Sequence, residues 1–386
     1  MENIFIDKIP DSQFVNMKEE WNALLEQSAT NELFLVWEWM YSWWDVFKNG
    51  GSELYLLRGK SSTGETIGIA PFYLQQQRLF GNFKIKIIRF CSSVETYPDH
   101  LDIIAMKEYE HLFSEAVLNY LVQHDKDWDL IKLEGVHENA MIKKYLSSVG
   151  PKKNGVLMKS LPSTGCPYLV LDKTFEGYLS SFSPKKRQTL LRKRRILMDR
   201  EKAVFRVVQC DEEPDKYIRE LFALHEERAR QKGIKTTFSG EEIYKFHSRL
   251  VHGLLREGKV VLAFLYKEFD PLVSYYCIKH GKKYYYYQAG LSHEGEKRSA
   301  GAVLFSLIIE NAFKEGYKEF DFLRGSEEYK FYWTKNCRQD YSITVRKDDF
   351  MNKMTHYCYI VHHRVLPLFQ RIYKPILDWA RGGSFF

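Results

Sequence analysis

Cysteine and proline are scarce in this chain of 386 residues, and long apolar runs are missing. The six cysteines stand far apart and form no Cys-x-x-Cys pair, which is typical of reduced, mostly buried thiols rather than of a disulfide framework. The 11 prolines and 23 glycines exclude collagen-like and linker-like chains. The longest apolar runs, such as 260–266, fall far short of the roughly 18–20 residues that span a bilayer.

Targeting signals and metal-ligand spacings are lacking as well. The acidic start, Met1–Asp7, has no apolar core of a secretory signal. The 12 histidines include no His-Glu-x-x-His, and the adjacent His362 and His363 face different directions on a helix. The sequence therefore predicts a cytoplasmic protein without a metal centre, and it leaves open a peripheral position on the inner face of the membrane.

Charge is distributed unevenly along the chain. Residues 1–165 carry 17 Lys and Arg against 22 Asp and Glu, whereas residues 166–386 carry 40 against 28. The overall charge of +7 thus divides into −5 for the first part and +12 for the second. An anionic partner is expected on the second part.

The order of the expected elements predicts an α/β fold with an internal repeat. Each half runs helix, hairpin, strand, helix, strand, and the hairpins are expected near 54–73 and 260–278. A segment rich in Gly, Pro, Ser and Lys at 150–165 is interpreted as the boundary between them. We expect three parts, in chain order: an N-terminal supporting domain at 1–165, a catalytic domain at 166–345, and an amphipathic helical extension at 346–386.

The most informative segment is 283–333. Its start, 284–290, predicts a strand, and 297–302 predicts a loop of small residues that opens a helix at Gly301. Such a loop directs free backbone N–H groups and the positive end of the helix dipole at one point, which suits a pyrophosphate or another anion. An ordinary helix N-cap by Ser299 explains the same residues equally well.

This segment, with the residues before it, resembles the GNAT superfamily of acyltransferases. More narrowly it resembles the FemAB-like and CelD-like members, in which two GNAT folds with mixed, mostly antiparallel sheets are joined. GNAT enzymes hold the pyrophosphate of acyl-CoA on an Arg/Gln-x-x-Gly-x-Gly/Ala turn. Arg298 and Gly301 match that turn, and Val303 departs from it. The resemblance spans roughly residues 15–340, and its other motifs are Trp21–Leu25, Phe34–Trp44, Ile67–Phe72, Leu224-His225-x-x-Arg228, Phe320–Gly325, Glu328–Lys330 and Trp333.

The resemblance implies acyl-CoA, such as acetyl-CoA, as the co-substrate. His225 and Asp321 are the candidate catalytic bases, because an attacking amine must lose a proton. One of the tyrosines at 284–287 would protonate the leaving thiolate. Packing on a helix is the alternative interpretation of His225, and an ion pair with Arg324 or another cation is that of Asp321. The expected cofactor-binding residues are Arg298, Ser299, Ala300, Gly301 and Ala302. The expected substrate-binding residues are Arg228, Gln288, Arg324, Glu328, Lys330 and Trp333.

Two helical segments offer surfaces for partners. Residues 185–202 contain nine Lys or Arg but few aromatics, which indicates either a solvated face or contact with tRNA phosphates, an anionic lipid or an anionic polysaccharide carrier. No DNA partner is expected. The last helix, at 350–381, is amphipathic and would lie on a membrane surface or pack on its own domain.

The sequence as a whole predicts an N-acyltransferase that acts on an amine, or less favourably a hydroxyl, of a cell-envelope or polysaccharide precursor. One alternative is an aminoacyl-tRNA-dependent transferase acting on a peptidoglycan precursor. The other is a non-catalytic protein that binds an anionic partner.

Overall fold

The chain folds into an α/β structure, as expected from the order of its elements. A computed structural model describes residues 4–79, 83–153, 155–365 and 367. Within these ranges the strands form one mixed sheet with helices on both faces.

The described strands are β1 (Phe5–Lys8), β2 (Ser52–Lys60), β3 (Thr66–Arg78), β4 (Lys84–Phe90), β5 (Ile104–Ala105), β6 (Leu130–Val136), β7 (Lys152–Lys153), β8 (Val156–Val170), β9 (Val204–Val207), β10 (Val260–Lys267), β11 (Asp270–His280), β12 (Lys283–Leu291), β13 (Glu319–Asp321) and β14 (Asn336–Lys347). The main path of the sheet is β1-β2-β3-β4-β6-β14-β8-β13-β12-β11-β10-β9, with β5 beside β3 and β7 beside β8.

The described α-helices are α1 (Asp11–Phe14), α2 (Lys18–Gln27), α3 (Trp37–Phe47), α4 (Glu110–Gln123), α5 (Met141–Val149), α6 (Phe175–Ser180), α7 (Pro184–Arg195), α8 (Asp215–Gln231), α9 (Glu241–Arg256), α10 (His293–Lys297), α11 (Ala300–Lys314), α12 (Glu328–Phe331) and α13 (Phe350–Ile360). Local sequence explains several of their ends. Helix α7 starts with Ser183 as a capping side chain and Pro184 in its first turn. Helix α9 buries Phe246, Leu250 and Leu254 at helical spacing.

The predicted repeat is present in the sheet. Most neighbouring strands are antiparallel, but each half contains one parallel pair. In the first half β4 runs parallel to β6, and in the second half β12 runs parallel to β13. The fold is therefore two tandem GNAT-like α/β units that share one sheet.

The centre of the sheet is built by strands from distant parts of the chain. Strand β14 lies between β6 of the first half and β8, and β8 in turn pairs with β13 of the second half. Most of the segment 150–165, which is interpreted as the boundary from its composition, belongs to β8. Pro162 and Gly165 are accommodated within this strand, which pairs with β14 from Val156 to Tyr168.

The first described part of the C-terminal extension packs against the protein itself. Tyr359 of α13 is buried with Ile85, Ile87 and Leu130, which lie on β4 and β6. Residues 366 and 368–386, the rest of the predicted amphipathic helix, lie outside the described residues. Among the helices that the structure describes, none has the length and apolar character needed to cross a bilayer.

Candidate active site

A cavity of about 620 Å³ lies between the two halves. Strand β12, helix α8 and the segment after β13 contribute its walls from the second half, and residues 95–99 contribute a wall from the first half. Its lining residues are Phe34, Glu95, Thr96, Tyr97, Asp99, His225, Arg228, Ala229, Lys232, Ile234, Lys235, Thr236, Thr237, Phe238, Ile243, His247, Tyr286, Tyr287, Gln288, Ala289, Phe322, Leu323, Arg324, Glu327, Tyr329 and Lys330.

The cavity exists because two parallel strands separate. Strands β12 and β13 pair at three positions only, from Lys283 with Glu319 to Tyr285 with Asp321. Beyond Tyr285, no residue of β12 pairs with β13. A bulge in β12, where Tyr287 is the extra residue, increases the local twist. Backbone groups of β12 beyond Tyr285 thus face an open gap instead of a neighbouring strand.

A glycine allows α8 to cross this part of β12 closely. A Cβ atom on Gly290 would meet the Leu224 side chain and lie 2.9 Å from the backbone nitrogen of His225. Because only glycine permits that approach, the backbone of β12 and the side chains of α8 reach the same cavity.

The four consecutive tyrosines have four different surroundings. Tyr284 donates a hydrogen bond to Glu315 at 2.9 Å, and Tyr285 donates to Glu32 at 2.6 Å. Tyr287 lines the cavity and donates to the Thr96 carbonyl at 3.2 Å. Tyr286 also lines the cavity and is hydrogen-bonded to Tyr329, whose pKa burial raises to about 12.

His225 lines the cavity with both ring nitrogens engaged. Its Nδ1 donates to the Ala289 carbonyl at 2.8 Å, so Nε2 accepts from the Thr236 hydroxyl at 2.6 Å. Burial lowers the pKa of His225, and the bond to Ala289 only partly opposes this effect. The neutral ring therefore joins α8 to β12 and to the 236 loop.

Asp321 is fully buried and does not line the cavity. Its Oδ2 lies 3.2 Å from Nε2 of His100, whose Nδ1 lies 2.9 Å from Oδ1 of Asp340. Although burial opposes it, the carboxylates of Asp340 and Asp321 raise the pKa of His100 well above its usual value. Burial raises the pKa of Asp321, but His100 and Arg338 outweigh burial and lower that pKa to about 2.

This buried cluster is an ion-pair network between the halves. Burial raises the pKa of Asp340 to about 6 despite its contact with His100. Cys166 Sγ lies within 4.8 Å of ligand atoms of His100 and Asp340. Because carboxylates already occupy both nitrogens of His100, the cluster is not a good metal site.

Arg324 and Lys330 hold the cavity wall together. Arg324 Nε donates to Asp99 Oδ1 at 2.8 Å, and its Nη2 donates to the Pro98 carbonyl at 2.7 Å. Arg324 therefore pairs with Asp99 of the first half and not with Asp321. Lys330 is 3% exposed and donates to backbone carbonyls at Leu323, Arg324 and Gly325.

Three other predicted substrate residues have mixed placements. Gln288 lines the cavity, and its Oε1 accepts from the Ala289 amide at 2.9 Å. Glu328 is exposed at the start of α12, and Trp333 is buried against the core of the second half. The structure therefore brings together His225, Arg228, Gln288, Arg324 and Lys330 but leaves Asp321, Glu328 and Trp333 outside the lining.

The predicted anion-binding turn has a different environment from the cavity. Arg298 is paired with Glu201 and Glu294, and neither it nor residues 299–302 line the cavity. Ser299 adopts a left-handed conformation with φ of 56° and forms no side-chain cap, so it is not an ordinary N-cap. The Gly301 carbonyl accepts a hydrogen bond from Tyr275 at 2.9 Å.

Glu95 is a cavity residue that motif matching did not find. Its Oε2 accepts from Trp43 Nε1 at 2.7 Å. Burial raises the pKa of Glu95, and the bond from Trp43 offsets only part of this. No local pattern marks Glu95 as functional, because it reaches the cavity only after the two halves pack.

Three cations, Arg228, Lys232 and Lys235, form a basic mouth to the cavity. None of them pairs with a carboxylate in the part of the chain that the structure describes. An unpaired cluster of this kind attracts an anionic ligand.

Residues 184–331 match the family model of the acetyltransferase (GNAT) domain. This segment contains α8, the splayed strands and α11, so the second half is a GNAT domain and the resemblance drawn from the motifs is confirmed. The GNAT domain supports assignment to the acyltransferases. No curated protein is detectably similar to the chain in sequence.

Solved structures of related shape extend the likeness to both halves. FemX has a TM-score of 0.59 and 11% identity, with 84% of this chain and 95% of FemX covered. L-PGS from Bacillus licheniformis has a TM-score of 0.54 and 14% identity, with 90% and 97% covered. The C-terminal domain of a putative lysylphosphatidylglycerol synthetase from Agrobacterium fabrum has a TM-score of 0.52 and 11% identity, with 91% and 96% covered. These similarities establish the FemX-like tandem fold alone.

Proposed function

We propose that the protein transfers an acyl group from an activated donor to the amine of an anionic acceptor. The observation that carries this proposal is the cavity at the splay of β12 and β13, with Glu95 on one wall and the basic mouth at its entrance. The acceptor class would be a phosphorylated or carboxylated precursor of the cell envelope or of a polysaccharide. The name of the lysylphosphatidylglycerol synthetase describes a lysyl group joined to phosphatidylglycerol, which is an anionic molecule.

Glu95 is the proposed base in place of Asp321. The amine nitrogen attacks the acyl carbonyl carbon, and its proton passes to the Glu95 carboxylate. A carboxyl whose pKa is raised by burial is better matched to this task at neutral pH than one whose pKa is about 2. Asp321 instead holds His100 and so supports the wall between the halves.

Tyr286 is the proposed acid. When the bond between the acyl carbon and the leaving atom breaks, the leaving group takes the Tyr286 hydroxyl proton, which Tyr286 donates in a hydrogen bond to Tyr329 before the reaction. The proton on Glu95 later returns to Tyr286 through solvent. Backbone N–H groups of β12 that face the gap left by β13 near Gln288 would stabilise the tetrahedral intermediate.

Acyl-CoA is the first candidate donor, because the second half is a GNAT domain. Its diphosphate would lie at the start of α11, where Ala300, Gly301 and Ala302 present little side-chain bulk. Binding there requires Arg298 to exchange at least one of its glutamate partners for phosphate.

Aminoacyl-tRNA is the second candidate donor, and two observations favour it. Glu201 and Glu294 already neutralise Arg298, and their charges oppose a diphosphate at the turn. Helix α7 also exposes Lys185, Arg192 and Arg195, for which tRNA phosphates are suitable ligands.

One experiment tests the donor and the reaction together. Binding of CoA is measured by calorimetry for the wild type, Arg298→Gln and the matched control Lys297→Gln. Acetyl transfer from acetyl-CoA is measured with glucosamine 6-phosphate and with glucosamine, which lacks the phosphate. We expect Arg298→Gln alone to weaken CoA binding at least tenfold. We expect transfer to the phosphorylated amine to exceed transfer to glucosamine, and Glu95→Gln to reduce kcat about 10²–10⁴-fold.

The outcomes separate the two donors. Absence of CoA binding, together with salt-dependent binding of tRNA that falls in a Lys185→Gln, Arg192→Gln variant, would replace acyl-CoA by aminoacyl-tRNA. Full activity in Glu95→Gln would remove Glu95 from the mechanism. Failure of every donor with every amine would contradict the transferase proposal.

A further inference from the structure

The inner end of the cavity contains a buried histidine whose ring nitrogens are unpaired. His247 of α9 lines the cavity and is only 1% exposed. Neither Nδ1 nor Nε2 forms a hydrogen bond with any residue that the structure describes. Because leaving a buried polar group without a partner costs free energy, such a group calls for an explanation beyond packing.

The surroundings of His247 are aromatic. The ring centroids of Phe238 and Tyr287 lie 4.9 and 5.1 Å from that of His247, and both residues line the cavity with Phe34. We call these four residues the aromatic floor. Phe246 and Trp39 close the far side of His247, at 4.7 and 6.2 Å between centroids.

His225, the other histidine that lines the cavity, has hydrogen-bond partners for both ring nitrogens. His225 donates to Ala289 and accepts from Thr236, so the cavity as such does not prevent its histidines from finding partners. Close to His247, the Tyr276 hydroxyl is also buried without a partner among the described residues. The rings of these two unpaired residues lie 5.7 Å apart between centroids.

The unpaired nitrogens of His247, set among aromatic rings, suit a neutral group rather than an ion. Burial lowers the pKa of His247 to about 3, so the ring is uncharged at neutral pH and offers one N–H donor and one acceptor nitrogen. The charged lining residues are engaged elsewhere or lie at the mouth. Asp99 pairs with Arg324, Glu327 pairs with Lys330, and Glu95 accepts from Trp43, while the mouth consists of Arg228, Lys232 and Lys235.

We propose that the aromatic floor is a recognition subsite for an uncharged, mainly apolar group of the acceptor that carries one carboxamide or hydroxyl. Either function can satisfy His247, because each both donates and accepts hydrogen bonds. The description of the bound molecule as an acceptor rests on the proposed function. It also rests on the position of the floor and the mouth, which both lie on the face of the sheet that α8 and α9 cover. The acceptor would then be read at two points, by charge at the mouth and by one neutral hydrogen bond at the floor.

The test compares two probes of similar shape, benzamide and toluene, by NMR titration of the full-length ¹⁵N-labelled protein. We expect the wild type to bind benzamide more tightly than toluene. His247→Phe should weaken benzamide binding at least tenfold and change toluene binding less than twofold. His247→Gln, which keeps a donor and an acceptor, should retain benzamide binding within about threefold.

Tyr244→Phe is the matched control. It removes another buried unpaired hydroxyl from α9 that does not line the cavity, so benzamide binding should not change. Equal affinity of the wild type for benzamide and toluene, no benzamide binding, or equal loss in the Phe and Gln variants would each overturn the subsite. If His247→Phe does not fold, the preference of the wild type for benzamide over toluene and the benzamide affinity of His247→Gln still test the subsite.

The failure of this inference can be told from failure of the proposed function. Acyl transfer to an anionic amine without benzamide selectivity removes the subsite and leaves the transferase. Benzamide binding that depends on His247, in a protein that transfers no acyl group, keeps the subsite and removes the identification of its occupant as an acyl acceptor.

Discussion

The two parallel strand pairs of the sheet have opposite fates. In the second half β12 and β13 separate and leave the cavity between them. In the first half β4 and β6 also separate after two paired residues, but residues 98–103 fill the gap. We call residues 98–103 the plug. Leu101 within it donates to the Gly135 carbonyl at 2.7 Å, and the His137 amide donates to Leu101 at 3.0 Å.

A buried carboxylate holds the plug in the gap of the first half. The corresponding gap of the second half is open to a ligand. Asp102 is fully buried and accepts hydrogen bonds from the amides of Met141 and Ile142 at the start of α5 and from the Thr30 hydroxyl. The anion-binding end of this helix is therefore satisfied from within the chain. We propose on this basis that the first half is a support and that only the second half retains an open site.

The plug also serves the open site, because its first residues form a wall of the cavity. Asp99 pairs with Arg324, and His100 reaches both Asp321 and Asp340. The plug therefore closes the gap between β4 and β6 in the first half and also contributes to the wall of the cavity between β12 and β13.

The largest expected effect comes from breaking the link between plug and second half. His100→Ala leaves Asp340 buried without its cation and Asp321 with Arg338 alone, and it should lower the free energy of unfolding by about 3–5 kcal/mol. Equilibrium urea unfolding measures this, with His252→Ala as the control at a half-exposed histidine. A loss below about 1 kcal/mol would mean that His100 is not charged in the folded protein.

The pH dependence of stability should show the same link. Because the folded-state pKa of His100 is raised, its contribution is complete below its unfolded pKa of about 6.5 and is lost as pH rises through the folded value. The free energy of unfolding should fall by up to about 1.4 kcal/mol per pH unit above pH 7. His100→Gln, measured in parallel, should lack this slope, and a slope that persists in the variant would assign it to another group.

A smaller effect is expected from displacing the plug itself. Gly135 has a φ of 67°, and a Cβ there would lie 2.5 Å from the Pro98 carbonyl oxygen. Gly135→Ala should cost about 1–2 kcal/mol for the left-handed backbone and more for the contact. Gly64→Ala, at a φ of 86° with open space around it, isolates the backbone cost. If Gly135→Ala and Gly64→Ala lower the free energy of unfolding equally in urea, the plug moves away from the added methyl group at no cost in stability.

Local patterns predicted most elements but not the assembly of the site. The hairpin of β10 and β11 and the start of α11 were expected within two residues, since their apolar spacing is regular, whereas β3 extends five residues beyond the expected end of its hairpin at 73. The strand at 156–170 was missed because its burial depends on β14, which lies far away in the sequence. His100, Glu95 and His247 acquire their environments only through packing between distant segments, so no motif could mark them.

The position of β14 has a consequence for biosynthesis. Strand β6 of the first half meets β14 along one edge, and β14 is among the last described strands to leave the ribosome. Until residues 336–347 emerge, that edge has unpaired amides and carbonyls that could join a second nascent chain. Folding of the first half therefore waits for nearly the whole polypeptide, and truncation before residue 336 should yield an aggregating fragment rather than an independent domain.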